Sequence, residues 1–233
     1  MIGASSGIGK ELAIVLSQNG FAVGLTGRRI DLLEKLKSNL PNPTFSKQLD
    51  ISDYSNAMDL LNNLIDEMGG VDLIVISAGI GFINPNLNWG EEKMTIDVNV
   101  NGFTAMANVA FRHFVQAGRG HLVGISSIAA IRGSGEAPAY NASKAFVSNY
   151  LEGLRINASK ARLPILVTDI QPGFVDTAMA KGEGLFWVAS PQKAARQIHK
   201  VIQKKAEHAY ITKRWSVIGC LLRVLPGFIY SKL

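Results

Sequence analysis

A cluster of three glycines near the start of the sequence constrains the fold more than any other feature. The glycines follow G-x-x-x-G-x-G spacing, a helical pattern of apolar residues then runs to Asn19-Gly20, and a strand-like run occupies residues 22–26. Glycines let a backbone turn tightly and approach a pyrophosphate, and the helix that follows offers it free N–H groups. A flexible Gly/Ser turn is the simpler alternative, but a strand at βαβ distance favours a dinucleotide-binding turn. The residues of this turn are Gly3, Ser5, Ser6, Gly7, Ile8 and Gly9.

Strands and helices alternate along the rest of the chain. Further strands are expected at 44–49, 71–77, 120–125, 164–170 and 209–211, and helices at 31–40, 54–68, 91–117, 139–160 and 191–205. This alternation predicts an α/β fold of the Rossmann type, with a doubly wound parallel sheet. With 233 residues, of which 47% are hydrophobic, the chain suits a single domain over residues 1–233.

The first strand of such a sheet is short in this sequence. A dinucleotide-binding fold needs about five strand residues before its first glycine, and only Met1 and Ile2 precede Gly3. Without the rest of the strand, its neighbours would face a gap in which unpaired backbone groups cost about 1–3 kcal/mol each. We therefore expect a truncated strand, and a natural protein that begins several residues upstream in a run rich in Val, Ile or Leu.

Two arginines, Arg28 and Arg29, follow the second strand. NAD-binding proteins tend to have an acidic residue here for the ribose 2′-hydroxyl, and this sequence has none. A guanidinium group binds a 2′-phosphate well because it stays charged and can donate two parallel hydrogen bonds. The sequence therefore predicts NADP(H) as the cofactor. Two solvated arginines that open the next helix are the alternative.

Tyr140 and Lys144 are separated by one helical turn, which places both side chains on one face of a helix. An ammonium group beside a phenol favours the phenolate and lowers the pKa of the phenol from about 10 towards neutrality. A tyrosine tuned in this way can pass a proton to or from a substrate oxygen. Ser127 follows the strand at 120–125, on the side where open α/β sheets bind ligands. A surface helix with an ordinary tyrosine is the alternative for the pair alone.

The expected helix at 91–117 contains an irregular stretch around Asn99. Asparagine and glycine, both present between residues 97 and 102, are poor helix formers. A local bulge or an inward-facing polar site would explain them, and a tolerated irregularity is the alternative.

Several of these motifs in this order resemble the short-chain dehydrogenase/reductase family of the single-domain type. The resemblance rests on the turn at 3–9, Asn99, Ser127 and Tyr140-x-x-x-Lys144, with 13 positions from Ser127 to Tyr140, and it covers nearly the whole chain. It implies the strand order 3-2-1-4-5-6-7. It also implies an NADP(H)-dependent enzyme that reduces a ketone or aldehyde to an alcohol, or catalyses the reverse reaction.

The resemblance also implies a role for each residue of the tetrad. Tyr140 would be the general acid/base, and Lys144 would lower its pKa and hydrogen-bond the nicotinamide ribose. Ser127 would hold and polarise the substrate oxygen. Asn99 would interrupt its helix to hold a water molecule that links Lys144 to solvent.

Other segments are similar to the cofactor contacts of the family. Asp50 and Ile51 would contact the adenine, and the segment from Pro172-Gly173 to Val175 and Thr177 would bind the carboxamide. Ala78-Gly79 would approach the cofactor closely. Here the chain departs from the family pattern, because Ile76-Ser77-Ala78-Gly79 stands where the family has Asn-Asn-Ala-Gly.

Apolar residues in two expected loops indicate the class of substrate. The loop at 80–89, Ile128, Ile131 and the residues 185–187 of an expected lid at 174–189 favour a lipophilic carbonyl compound, such as a steroid-like, acyl or aromatic one. Packing of these loops on one another is the alternative. A non-catalytic NADP-binding regulatory protein is a second possible function, although such proteins usually lack the tyrosine or the lysine.

Composition bounds the partners and the compartment. The net charge of +6 suits an anionic ligand, a phosphate-rich cofactor or a membrane surface, while no basic run interleaved with aromatics indicates nucleic acid. The single cysteine, Cys220, is typical of a reducing compartment such as the cytoplasm. The four histidines lack metal-ligand spacing, so no metal is expected.

Two helical regions predict contacts with larger partners. In the family, helices such as 91–117 and 139–160 form a four-helix interface, so a homodimer or homotetramer is expected. Packing on their own sheet is the alternative for the aromatic residues of these helices, which are Phe111, Phe114, Phe146 and Tyr150. The apolar C-terminal helix at 213–233 carries Lys213, Arg214 and Arg223, which suits the surface of a membrane; a helix that closes the pocket or the dimer is the alternative.

Overall fold

The computed structural model of the chain describes residues 1–179 and 186–231. Its parallel strands are β1 (Val23–Gly27), β2 (Thr44–Gln48), β3 (Leu73–Ile76), β4 (Gly120–Ile125), β5 (Ile165–Pro172) and β6 (His208–Ile211). Its helices are α1 (Gly7–Gln18), α2 (Ile30–Lys37), α3 (Tyr54–Glu67), α4 (Trp89–Ile96), α5 (Phe103–Ala117), α6 (Pro138–Lys160), α7 (Pro191–Gln203), α8 (Trp215–Val224) and α9 (Gly227–Tyr230). The predicted α/β alternation is therefore confirmed.

Ile2 joins two groups of parallel strands, β2-β1 and β3-β4-β5-β6. Its N–H donates to the carbonyl of Val75 at 2.8 Å, and its own carbonyl accepts from Ser77 at 2.8 Å. On the other side, the N–H of Thr26 donates to the carbonyl of Met1 at 3.0 Å. The structure thus places Met1 and Ile2 where the first strand was predicted, and their backbone groups hold the carboxyl ends of β1 and β3 together.

Helices cover both faces of the sheet, as a doubly wound fold requires. One buried cluster, which includes Phe103, Met106 and Leu151, lies on the side of α3, α5 and α6. The other, which includes Leu12 and Ile198, lies on the side of α1 and α7. The inner strands β3, β4 and β5 are therefore packed on both sides, which explains why they are rich in Val, Ile and Leu rather than alternating with polar residues.

Several predicted boundaries differ from the structure, and two of these differences have a clear cause. Strand β5 extends through Gln171 and Pro172 because the N–H of Gly173 pairs with the carbonyl of Ile211 at 2.7 Å, so β6 continues the ladder. Proline fits there because it needs no N–H partner at the end of a strand. The predicted helix at 91–117 begins earlier, at Trp89, and is interrupted by a π-helix at Asp97–Gly102.

Phe114 does not face outward, as a residue of a dimer interface would. It is fully buried in the core of its own domain, and a Cβ atom on Gly120 would lie 2.0 Å from its ring. The contribution of Phe114 to an interface is therefore excluded, because the side chain already fills the space beneath β4. Phe146 remains partly exposed and stacks on Tyr150 with 5.6 Å between ring centroids.

Candidate active site

A cleft of about 760 Å³ opens beyond the carboxyl ends of the parallel strands. This is the edge at which open α/β sheets bind ligands, because the loops that leave neighbouring strands diverge there. The glycine turn, the loops after β1, β3, β4 and β5, and the start of α6 all contribute to its walls. The predicted site residues that line it are Gly3, Ser5, Ser6, Gly7, Ile8, Arg28, Arg29, Asp50, Ile51, Ala78, Gly79, Ser127, Tyr140, Lys144, Pro172, Gly173, Val175 and Thr177.

The glycine turn disfavours side chains at two of its positions, Gly7 and Gly9. Gly7 begins α1 with a φ of +56°, and a Cβ atom on it would lie 3.2 Å from the methyl group of Thr177. Gly9 is not part of the cleft wall; a Cβ atom there would lie 2.0 Å from the carbonyl oxygen of Gly3. The turn therefore needs Gly9 for its own backbone packing, and it brings the start of α1 against the segment after β5.

Polar donors gather beside this turn. Arg29 donates from Nη2 to the hydroxyls of Ser5 at 2.9 Å and Ser6 at 2.8 Å. The first turn of α1 carries no acidic residue and no side-chain cap. A guanidinium group, two hydroxyls and free helix N–H groups make a site whose chemistry fits phosphate oxygens.

Asn99 lies on the π-helix and is buried beneath the cleft rather than in its wall. Its side-chain amide donates to the carbonyl of Ile80 at 2.7 Å and to Ser143 at 3.0 Å, and its oxygen accepts from the N–H of Ile80 at 2.9 Å. The predicted bulge with an inward polar group is confirmed. The π-turn aims Asn99 at the backbone of the loop after β3 and so fixes that loop against α6.

Tyr140, Lys144 and Ser127 come together at the inner end of the cleft. Lys144 Nζ lies 5.8 Å from the centroid of the Tyr140 ring and donates to the carbonyl of Ile125 at 3.0 Å. The Ser127 hydroxyl accepts from the N–H of Ala129 at 3.1 Å, capping a short 3₁₀ helix. These contacts hold both the serine and the lysine in place beside the phenol.

Burial, rather than the lysine, controls the acidity of Tyr140. Desolvation raises the pKa of Tyr140 above its usual value, and a hydrogen bond with Ser127 opposes this shift. Desolvation also lowers the pKa of Lys144 to about 8, with Asp169 opposing. The expectation that Lys144 brings the pKa of Tyr140 towards neutrality is therefore wrong for this structure, because an enclosed phenolate loses more solvation than its neighbours restore.

Sequence reasoning missed three contributors to the site. Gly81 faces the Tyr140 ring, and a Cβ atom there would lie 2.7 Å from it. Ser143 binds Asn99, and the buried Asp169 binds Ser126 at the carboxyl end of β4. Only Asp169 left a signal, since a charged residue in an otherwise apolar buried strand is unusual.

Aromatic side chains back the outer part of the cleft. Trp215, at the start of α8, is buried and packs edge-on against Phe174, which lines the cleft, with 5.3 Å between ring centroids. Phe186 stacks on Trp215 at 5.2 Å, and Trp187 contacts both rings. Residues 180–185 of the predicted lid, which include Leu185, lie outside the described residues. The two described ends of this segment therefore pack on the C-terminal helix.

The C-terminal helices also contact the loop before Tyr140. Arg132 donates to the carbonyls of Leu222 at 3.3 Å and Leu225 at 2.9 Å, and Tyr230 donates to the carbonyl of Gly133 at 2.7 Å.

No helix within residues 1–179 and 186–231 is both long and apolar enough to cross a membrane. Over the same ranges, no group of three or more His, Cys, Asp or Glu side chains is placed to hold a metal ion.

Known proteins resemble this chain in sequence and in fold. The family profile described as "short chain dehydrogenase" matches residues 1–185. An uncharacterized oxidoreductase of Myxococcus xanthus is 36% identical over 182 residues, or 76% of this chain and 71% of its own. Another, from Mycobacterium tuberculosis, is 32% identical and covers 96% of this chain and 92% of its own. A serine dehydrogenase solved with NADP⁺ superposes with a TM-score of 0.79 at 26% identity, covering 86% of this chain and 87% of its own.

Proposed function

This chain is an oxidoreductase that belongs to the short-chain dehydrogenase/reductase family, and from that premise we propose that it reduces a ketone or aldehyde to an alcohol with NADPH, or catalyses the reverse. One observation carries the proposal: a partly buried phenol, Tyr140, shares a cleft with Arg29, Ser5 and Ser6, whose chemistry suits a phosphate group. NADPH, when bound, supplies the hydride that the carbonyl carbon receives.

Tyr140 would act as the proton donor in the direction of reduction. Because burial raises its pKa, the phenol keeps its proton at neutral pH, which is the form that a donor needs. As negative charge grows on the substrate oxygen, the Ser127 hydroxyl and the phenol stabilise it. Lys144, with a pKa of about 8, is mostly charged at pH 7 and would stabilise the phenolate that remains.

The segments that line the cleft fit the parts of the cofactor. The proposed contacts are Arg28 and Arg29 with the 2′-phosphate, the turn at residues 3–9 with the pyrophosphate, and Asp50 and Ile51 with the adenine. Ala78 and Gly79 would face the nicotinamide half, Lys144 its ribose, and Pro172, Gly173, Val175 and Thr177 its carboxamide. The NADP⁺ complex of the serine dehydrogenase neighbour supports the choice of cofactor.

The substrate we propose is lipophilic. Phe82, Ile83, Ile128 and Phe174 give the outer cleft apolar walls. The carbonyl group would bind at Ser127 and Tyr140, and the hydrocarbon part would lie against these walls, with residues 174–189 as a lid. A turnover assay with NADPH and a panel of ketones graded by size and polarity tests this. Turnover of small polar ketones alone would contradict the lipophilic class.

The same assay separates a reductase from a non-catalytic NADP-binding regulatory protein. Tyr140 and Lys144 are both present and both in the cleft, which favours the enzyme. Binding of NADPH without turnover of any carbonyl or alcohol in the panel would favour the regulator.

We propose further that the chain works as a homodimer or homotetramer in the cytoplasm, where the exposed Cys220 would stay reduced. The stacked pair Phe146 and Tyr150 on α6 would supply part of the interface. Light scattering at micromolar concentration checks the assembly, and a monomer there would contradict it.

Contact of α8 with an anionic membrane is a separate proposal. Val217, Leu221 and Val224 form an exposed apolar stripe on this helix, and Lys213 and Arg214 are exposed beside its start. Flotation with anionic and neutral liposomes tests it, with Leu221→Ser compared with the unchanged protein. Equal recovery of both proteins with anionic liposomes would leave α8 as a helix that only backs the cleft.

A further inference from the structure

Lys144 and Asp169 are the only lysine, arginine, aspartate or glutamate residues that are buried among residues 1–179 and 186–231. Lys144 is 5% exposed and Asp169 is 3% exposed. Buried charges are strongly disfavoured unless they are hydrogen-bonded and lie near an opposite charge. A buried cation and a buried anion on neighbouring elements therefore suggest that each is tolerated because of the other.

Asp169 lies on β5 with its carboxylate directed at α6. Ser148, on α6, donates to one carboxylate oxygen at 2.6 Å, and Ser126, which follows β4, donates to the other. The amide nitrogen of Gln171 also donates to the first oxygen at 3.0 Å, while the amide oxygen of Gln171 has no partner among the described residues. All three donors are neutral, so the hydrogen bonds solvate the carboxylate without cancelling its charge.

Two connections link Lys144 to the cluster around Asp169, one along α6 and one through the end of β4. Tyr140, Lys144 and Ser148 follow one another at four-residue steps along α6, so their side chains share one face. Lys144 Nζ donates to the carbonyl of Ile125, the residue directly before Ser126. Lys144 therefore lies one helical turn from Tyr140 on one side and, on the other, one turn from Ser148, which binds the carboxylate.

We propose that Asp169 is a positioning residue for the reaction, a buried carboxylate whose charge keeps Lys144 protonated beside Tyr140. The inference rests on the proposed reductase function for its meaning in catalysis. Burial lowers the pKa of Lys144 to about 8, and the charge of Asp169 opposes that lowering. Without Asp169, a larger share of Lys144 would be neutral at physiological pH, and a neutral amine no longer stabilises a phenolate.

Four other charged or titratable groups near the carboxylate keep their charge state in this pH range. His208, paired in register with Asp169 on β6, has a pKa lowered by burial and is therefore neutral above pH 7. Burial raises the pKa of Tyr210. Arg155 on α6 and Arg223 on α8, which also act on His208, stay charged throughout. Among Lys144 and the groups named here, only Lys144 therefore changes charge between pH 7 and 9.

Asp169→Asn removes the charge and keeps the shape of the side chain. The charge on Lys144 can be followed by NMR of protein labelled with ¹³C at lysine Cε, with the signal assigned by its absence in Lys144→Met. We expect the midpoint of the Lys144 titration to fall by about one pH unit. The alkaline limb of kcat for carbonyl reduction should move down by a similar amount.

Asp72→Asn is the matched control, because it makes the same substitution at a side chain that is 81% exposed and paired with Arg119. It should leave both the NMR midpoint and the alkaline limb unchanged. An unchanged Lys144 midpoint in folded Asp169→Asn would overturn the proposal.

The NMR midpoint does not depend on turnover, so it also separates this inference from the proposed function. A chain that reduces no carbonyl compound but shows the shifted midpoint would retain the Asp169–Lys144 coupling and lose the reductase assignment. If Asp169→Asn does not fold, Asp169→Ser makes the same charge change with a smaller side chain. If neither variant folds, Asp169 is needed for the stability of the fold alone, and the proposal is overturned.

Discussion

Replacing Arg29 by glutamine should weaken the binding of NADPH and spare that of NADH. Arg29 Nη2 already donates to Ser5 and Ser6, at 2.9 and 2.8 Å, so the side chain is held over the glycine turn. Arg28 contributes its backbone carbonyl to a bond with Gln48 at 2.9 Å. We therefore expect Arg29 to be the stronger of the two phosphate ligands.

The size of the effect follows from the contact that is lost. A hydrogen bond to a charged group contributes about 1.5–3 kcal/mol. At about 1.4 kcal/mol for each factor of ten, the dissociation constant of NADPH should rise about 10- to 150-fold. NADH has no 2′-phosphate, so its dissociation constant should change less than about twofold. Arg29→Lys, which keeps the charge and loses the planar pair of donors, should fall between these values.

Titration of both cofactors by nicotinamide fluorescence at low ionic strength measures the two constants. Arg119→Gln is the matched control, because it removes the same charge from an arginine whose side chain is 76% exposed and paired with Asp72. It should change neither constant. Equal losses for NADPH and NADH in Arg29→Gln would refute the assignment of Arg29 to the 2′-phosphate.

Three further predictions concern the inner cleft. Tyr140→Phe should lower kcat by roughly 10²–10⁴-fold with little change in NADPH affinity, and a normal kcat in this variant would contradict the mechanism. Lys144→Met should lower kcat and also weaken cofactor binding. In the direction of reduction, kcat should be full below about pH 7 and fall as the pH rises through about 8, because Lys144 then loses its proton while Tyr140 keeps its own; a flat profile between pH 7 and 9 would contradict this. Gly81→Ala should lower kcat far more than cofactor affinity, since the new methyl group would lie 2.7 Å from the Tyr140 ring. Steady-state kinetics and cofactor titration measure the two effects, and equal losses of kcat and of cofactor affinity would contradict this prediction.

The fold could be predicted from the sequence because its signals are local. The glycine spacing, the caps and the change from strand to helix periodicity each depend on a few neighbouring residues. The exact ends of β5 could not be predicted, because they depend on pairing with β6, which comes some 40 residues later in the chain. The burial of Phe114 likewise depends on the space that Gly120 leaves, and the helical pattern of α5 alone does not reveal it.

Most of the candidate site could be located for the same reason, but its electrostatics could not. The spacing of Tyr140 and Lys144 predicts proximity, and the sign of a pKa shift depends on how much water reaches each group. The sequence showed the lysine near the phenol and could not show that both are enclosed. Burial then dominates the pKa of both groups, and only the tertiary structure contains that information.

The loop after β3 shows how the fold and the site depend on one another. Gly79 leaves room for both Asn99 and Lys144, since a Cβ atom there would lie 3.3 Å from an atom of each, and Gly81 leaves room for the Tyr140 ring. Asn99 binds the backbone of Ile80 between these two glycines in both directions, at 2.7 and 2.9 Å. The π-turn that carries Asn99 therefore does more than interrupt a helix. It fixes a loop that Lys144 and Tyr140 both pack against, so a shift of Asn99 would move both side chains together.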